Sequence, residues 1–194
     1  MYVFENEGEV MGVTLHHPHG QIYALPFVPP VPATELARAG AHRRATGRCL
    51  HCDLVAEERA GRRRVLDHQG MVAFVPEAAH WPYELHLYPE GHAGSLAELD
   101  ASQRDGLAEA LLEVARTYDR HFGFSTPYVM AIHQAPTDGA DWPDSHVHIE
   151  LYPPHRRPDR LKYVAGVELG AGTFVNDTLP EETAAHLRAA CTLA

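Results

Sequence analysis

The segment His17-Pro18-His19-Gly20-Gln21 sets two imidazoles two residues apart. Side chains alternate along an extended chain, so His17 and His19 share one face. Pro18 between them removes a backbone amide and stiffens the segment. An imidazole with one nitrogen held by a hydrogen bond keeps a single lone pair, which can attack phosphorus and later leave. The same pair could equally hold a metal or serve as structural histidines, and the residues alone leave these readings open. A second chemical signal is Cys49-Leu50-His51-Cys52. Two cysteines at this spacing suit a metal knuckle, whereas three cysteines in all cannot build a disulfide framework. Reduced, unliganded thiols are the plain alternative, and Cys191 reads as a bystander.

The histidine pair recurs. Tyr2-Val3 starts a strand leading to His17, His19, Gln21 and Tyr23, and Tyr128-Val129 starts one leading to His146, His148, Glu150 and Tyr152. Prolines follow both, and this alignment makes the second loop three residues longer. A repeat of this kind changes the reading of the whole chain. The chain then opens on the last hairpin of one repeat and continues through a complete second one. Residues 1–32 form the terminal hairpin of the first repeat and 33–194 the second repeat with a C-terminal helix.

The elements that must position these residues follow from periodicity. Strands are expected at Tyr2 to Asn6, in a hairpin of Val65-Leu66 with Met71 to Val75, at Tyr83 to Tyr88 with one buried face, at Tyr128 to His133 and at His146 to Tyr152. Leu161 to Val167 is expected to extend the sheet. Pro26 to Pro32 carries four prolines and is expected to be neither helix nor central strand. Helices are expected over 33–47 with Thr34 as cap, from Ser95 to about Phe122 before Gly123, and over Glu181 to Ala190. Strands followed by one long helix and more strands indicate an α+β fold with an antiparallel sheet. Two strands at the start are too few to stand alone and must dock on something.

Composition narrows the function classes. The chain has 194 residues, 45% hydrophobic and 22% charged, with a net charge of −10. That length supports a real core, and that charge argues against nucleic acid or an anionic membrane as the main partner. No apolar run reaches the roughly 18–20 residues of a spanning helix, and the first residues lack a signal-peptide layout, so a cytoplasmic protein is expected. Fifteen of the sixteen basic residues are arginine, and Lys162 is the sole lysine. Arg62-Arg63-Arg64 reads as a solvated turn, Trp81 and Trp142 as packing residues, and His42, His51, His68, His80, His121, His155 and His186 as surface.

The stretch from Gly12 to Ala24 resembles the active-site segment of the galactose-1-phosphate uridylyltransferases, members of the histidine-triad superfamily. The likeness continues through Trp81-Pro82-Tyr83-Glu84, Tyr88-Pro89-Glu90-Gly91-His92, His133-Gln134-Ala135-Pro136, His146 to Pro154, and Leu161-Lys162-Tyr163 through Gly166 to Glu168. It covers nearly the whole chain, but only the C-terminal part of a usual family member.

The resemblance implies a histidine-triad-like fold and a ping-pong transfer. His19 would take UMP from UDP-glucose, and galactose-1-phosphate would then accept it. Gln21 would hydrogen-bond the uridylyl phosphoryl oxygens. Asn6, Gly12, Val13 and Thr14 would line the nucleotide site. Lys162, Tyr163 and Glu168 would bind the sugar phosphate, typically across a homodimer interface, with Asn176 standing in for a glutamine of the family. His17 would be one zinc ligand whose partners lie in the absent part. Repeat symmetry adds a second zinc quartet, Cys49, Cys52, His92 and His146, which suits tetrahedral zinc. Some family members instead place iron on residues matching Glu35, His133, His146 and His148. The two sets share His146 and would not both fill, and the cysteine set is preferred. A separate chain carrying the missing N-terminal repeat is the expected partner. The competing readings are a related sugar-nucleotide phosphorylase or hydrolase, and an inactive structural half.

Overall fold

The computed structural model describes residues 1–13 and 17–194. Its centre is a seven-stranded, wholly antiparallel sheet. In chain order the strands are β1 (Tyr2–Glu7), β2 (Gly20–Tyr23), β3 (Arg64–His68), β4 (Met71–Phe74), β5 (Leu85–Pro89), β6 (Tyr128–His133) and β7 (His148–Tyr152), and in space they run β2-β1-β6-β7-β5-β4-β3. A short two-stranded sheet, β8 (His155–Arg157) with β9 (Arg160–Leu161), follows. The helices are α1 (Pro30–Thr46), α2 (Leu50–Ala60), α3 (Ala101–Phe122), α4 (Gly166–Ala171) and α5 (Pro180–Ala190). The α+β architecture is as expected, and the opening hairpin docks by pairing β1 with β6.

The two faces of the sheet do different work. Leu85, Leu87, Ile132, Ile149 and Leu151 point to one side, into a core shared with Val114, Tyr118 and Leu187 of α3 and α5. The alternate positions face α1 and α2. There Val72, Phe74 and Tyr88 pack on Val55 of α2, and the register places His86, Glu150 and Ala131 side by side across β5, β7 and β6. Phe4 and Gln21 continue that row through β1 and β2. The row of candidate groups is therefore a consequence of strand alternation and pairing.

Register also corrects the repeat alignment. Phe4 pairs with Gln21 as Ala131 pairs with Glu150. The structural equivalents are thus Phe4 with Ala131 and Asn6 with His133, one residue beyond the match of Tyr2 to Tyr128. Ten residues separate Asn6 from His17 and twelve separate His133 from His146, so the second loop is longer by two. Phe4 and Ala131 also pair with each other, and the pseudo-twofold passes between them. Gly12 and Gly139 hold matching places in the two loops, both with positive φ, 79° and 85°.

Several local expectations needed revision. Helix α1 begins at Pro30, inside the proline run, because first-turn amides have no intrahelical acceptor and proline gives nothing up there. Thr34 is no cap; its hydroxyl donates to the Pro30 carbonyl at 2.9 Å within the helix. Helix α2 lacked a strong apolar stripe and was not anticipated. The long helix starts at Asp100 rather than Ser95, with a reciprocal capping box to Gln103 at 2.8 and 2.9 Å. Strand β5 is buried on both faces, apart from the partly buried His86. Residues 161–167 leave the main sheet: Leu161 ends β9, and Gly166 opens α4.

Candidate functional site

His19 sits where the chain enters β2. Its Nδ1 lies 2.9 Å from the His17 carbonyl oxygen, so Nδ1–H donates and Nε2 keeps its lone pair. The His17 and His19 rings are 5.4 Å apart. His17 is exposed, and His19 and Gln21 are half-buried. Asn6 lies on β1 on the same face as Gln21. Gly12 closes the short 3-10 turn Glu9–Met11 within the loop from β1 to β2 and Val13 follows it, and Thr14 falls outside the described residues. The arrangement offers a fixed tautomer beside amide side chains, with no carboxylate at the Gln21 position to repel an anion.

The second repeat keeps the same backbone device, His148 Nδ1 to the His146 carbonyl at 2.9 Å, but changes its surroundings. Where the first repeat has Asn6 and Gln21, the second has His133 and Glu150. Glu150 Oε1 lies 3.3 Å from His86 Nε2 and 3.5 Å from His148 Nε2, and its Oε2 lies 3.7 Å from His133 Nε2. Burial alone would raise the Glu150 pKa. His86, His148 and His133 outweigh it and hold the carboxyl well below the usual range. Burial likewise opposes charge on His86 and His133, yet Glu150, Glu84 and Glu35 raise the first and Glu35 and Glu150 raise the second. Glu35 reaches over from α1 to His133 Nδ1 at 2.9 Å, and Tyr2 of β1 places its hydroxyl 3.2 Å from His133 Nε2.

Cys49 caps the start of α2, and Cys52 lies one turn in. Their sulfurs lie 3.9 and 3.6 Å from His146 Nδ1, and Cys52 Sγ lies 3.7 Å from His92 Nδ1. Tetrahedral zinc with ordinary bond lengths puts sulfur and nitrogen ligands about 3.6 Å apart. The other nitrogen of His146 donates to the Pro89 carbonyl at 3.1 Å, which orients the ring and leaves Nδ1 as the ligand atom. Burial pushes the His146 pKa down to about 4, which keeps the ring neutral. The donor set therefore fits zinc.

His146 belongs to that quartet alone, since both its nitrogens are spoken for. The alternative set is corrected accordingly: Glu35, His133 and His148 gather with Glu150, their ligand atoms all within 4.8 Å of one another. The two groups no longer compete for a residue. The sequence signal for Glu150 was present, as the counterpart of Gln21, but only sheet register brings it beside Glu35.

Other placements differ from the sequence reading. His51 is buried, stacked on His148 with ring centroids 5.3 Å apart and on Tyr88 at 5.7 Å. His155 is buried between Phe122 and Phe124, and its Nδ1 has no partner among the described residues. Arg63 leaves the solvated turn to pair with the buried Glu58. Asn176 spends its amide on the carbonyls of Ala79 and Trp81 and on Thr178. Lys162 and Glu168 are buried against each other at 2.8 Å, while Tyr163 beside them is 80% exposed. Lys162 is anchored to His80, in the lead-in to β5. Strands β7, β6 and β1 separate β5 from β2, so one chain does not bring Lys162 to His19. Among the described residues no helix is long and apolar enough to cross a membrane.

Comparison with known proteins agrees with this geometry. A galactose-1-phosphate uridylyltransferase of Thermotoga maritima is 37% identical over 189 residues, covering 97% of this chain and 59% of its own length. A solved uridylyltransferase mutant superposes with a TM-score of 0.91 at 41% identity, covering 98% of this chain and 62% of that one. The solved ADP-glucose phosphorylase of Arabidopsis thaliana, with bound ADP-glucose, reaches 0.84 at 26% identity, covering 96% and 58%. The chain thus spans about three fifths of the length of these proteins. The description "Galactose-1-phosphate uridyl transferase, N-terminal domain" matches residues 1–29, and its C-terminal counterpart matches residues 36–193. With the C-terminal description spanning most of its residues, the chain belongs to the galactose-1-phosphate uridyl transferase family.

Proposed function

We propose that the chain carries the nucleophile of a UDP-glucose:hexose-1-phosphate uridylyltransferase. The observation that supports this most directly is the His19 tautomer: Nδ1–H is committed to the His17 carbonyl, which leaves the lone pair on Nε2. Nε2 attacks the α-phosphorus of UDP-glucose, the bond to the β-phosphate oxygen breaks, and glucose-1-phosphate leaves. The imidazole then carries UMP and a positive charge, which the His17 carbonyl stabilises through Nδ1–H. A phosphate oxygen of galactose-1-phosphate attacks the same phosphorus, and His19 is regenerated. Gln21 steadies the phosphoryl oxygens, Asn6, Gly12 and Val13 line the nucleotide side, and the segment holding Lys162, Tyr163 and Glu168 forms the sugar-phosphate end of a site completed by another copy.

Cys49, Cys52, His92 and His146 would hold structural zinc, tying α2 to the lead-in of β7. Glu35, His133, His148 and Glu150, two carboxylates and two imidazoles, suit a harder divalent ion such as iron. The remaining ligands to a metal at His17, and the strand that covers β2, come from a polypeptide carrying the rest of the first repeat.

The test is to incubate the protein, with that N-terminal part supplied, with α-labelled UDP-glucose and to recover label on His19. No label on any histidine would reject the reading. A phosphorylase is the second reading, favoured by the likeness to the Arabidopsis enzyme; it would release the nucleotide to inorganic phosphate in preference to galactose-1-phosphate.

A further inference from the structure

The carboxylate–histidine group stands at the foot of a cavity. About 270 Å³ of space lies between α2 and the part of the sheet formed by β4, β5 and β7. Glu35, His148 and Glu150, three of the four residues of that group, form its bottom, with His86 beside them. One wall is a face of α2, where His51, Leu54 and Glu58 recur at spacings of three and four and so stand in line along the helix. The other wall is Phe74 stacked on Tyr88, with ring centroids 5.5 Å apart. Side-chain exposure rises along the route, from 3% at His148 and 8% at Glu150 to 26% at Glu35 and 83% at Glu77. Glu57, near the end of α2, is also exposed at the rim.

Charge decides what this space admits. Among the described residues its walls hold five carboxylates, those of Glu35, Glu57, Glu58, Glu77 and Glu150, against the one guanidinium of Arg63. Arg63 is already paired, with the buried Glu58 through Nε and Nη2 and with Glu181 through Nη1 at 3.3 Å. Such walls repel an anion and draw in a cation. Cys49, Cys52, His92 and His146 do not border the cavity, so it leads to the carboxylate–histidine group and not to the cysteine quartet.

We propose that this cavity is the entry route by which a hydrated divalent cation reaches Glu35, His133, His148 and Glu150, with Glu57 and Glu77 as rim carboxylates that gather the ion and are not among its final ligands. The proposal rests on reading that group as a metal site. Glu35, the most exposed of the four, meets the ion first and exchanges one of its waters for a carboxylate oxygen, and the deeper donors follow. The rim raises the local cation concentration and so sets the rate of loading, whereas the four inner residues set the affinity.

Loading of the zinc-bearing 194-residue chain with cobalt(II) reads this directly. Uptake is stopped at intervals by rapid desalting, and cobalt and zinc are counted by elemental analysis. At about 10 mM salt, Glu57→Gln combined with Glu77→Gln should slow cobalt loading by about 10-fold, while final cobalt per chain stays within about twofold and zinc is unchanged. Both glutamates are exposed, so this change leaves the core alone. At about 1 M salt, where charges are screened within about 3 Å, parent and double variant should load at the same rate. Leu54→Trp narrows the route and should slow loading at both salt concentrations. A double variant that loads as fast as the parent at low salt would overturn the proposal, as would a Leu54→Trp protein that loads at the parent rate. Lower final cobalt in the double variant at an unchanged rate would make Glu57 and Glu77 ligands, and would overturn it too. The metal reading fails separately: no cobalt taken up by the parent, or as much by Glu35→Ala as by the parent, would reject the group itself and the route with it.

Discussion

His19 donates its Nδ1–H to the carbonyl of His17 at 2.9 Å, and 129 residues later His148 does the same to His146 at the same distance. The backbone device is duplicated and the chemistry is not. His19 has Gln21 and Asn6 around it, whereas the Nε2 of His148 faces Glu150 at 3.5 Å. An anionic carboxylate in that place favours a cation or an imidazolium and repels a phosphate.

His19→Ala should therefore abolish uridylyl uptake by at least about 1,000-fold, the scale of losing a covalent nucleophile, with the fold unchanged because His19 packs in no core. His148→Ala should retain uptake. Acid-labile, alkali-stable label from UDP-glucose, read beside circular dichroism, checks both. Labelling of the His19→Ala protein at the wild-type rate would place the nucleophile elsewhere.

The two ligand groups should lose metal independently. Cys49→Ser should remove about one zinc per chain and lower the melting temperature, because α2 loses its tie to His92 and His146. Glu35→Ala should leave that zinc in place and remove whatever ion the second group holds. Elemental analysis of both variants decides it; loss of both metals from either one would contradict the separation.

His51 should make the fold acid-sensitive. Burial lowers its pKa to about 3, so between the unfolded value near 6.5 and about 3 the unfolded chain binds the extra proton. Stability is then full above 6.5 and falls on acidification, by up to about 1.4 kcal/mol per pH unit from this group. His51→Leu should flatten the loss between pH 7 and 5.5 in urea titrations. An unchanged slope would assign the acid sensitivity to other groups.

Gly106→Ala tests the packing of α3 on the β3–β4 turn. A Cβ at 106 would lie 2.8 Å from the Gln69 carbonyl, in a turn where Gln69 already has φ of 46°. Alanine gains about 1 kcal/mol in helix propensity, yet the overlap should win and destabilise by about 1–3 kcal/mol net. Chemical denaturation measures the sign.

The chain by itself should show weak uridylyl transfer or none. Among the described residues the outer edge of β2 is unpaired in the sheet, and Ile22 and Tyr23 are exposed there. In the second repeat the matching edge of β7 is covered by β5, which sets His86 opposite Glu150. A strand supplied by the N-terminal part should take the same place opposite Gln21, and zinc at His17 and activity should return together. Full turnover by the 194-residue chain with UDP-glucose and galactose-1-phosphate would count against this.

Much of the site was legible in the residues because its signals are local. Two-residue spacing puts His17 with His19 and His146 with His148 on one face of a strand, and Cys49-x-x-Cys52 needs only one helical turn to converge. The strands, the long helix and the repeat follow from period and self-similarity, which any short window contains. Tertiary structure alone decided the rest. The one-residue shift that makes Asn6 the counterpart of His133 is set by hydrogen-bonding register between strands more than a hundred residues apart. The assignment of His146 to the cysteines turns on a bond to the Pro89 carbonyl, and the entry of Glu150 into the second group turns on its distance from Glu35. Lys162 drew attention as the sole lysine, but its closure by Glu168, His80 and Val175 depends on three separate segments meeting. Spacing along the chain states which side chains share a face; it carries no information about which nitrogen or oxygen is already occupied, because that depends on partners brought in from distant parts of the sequence.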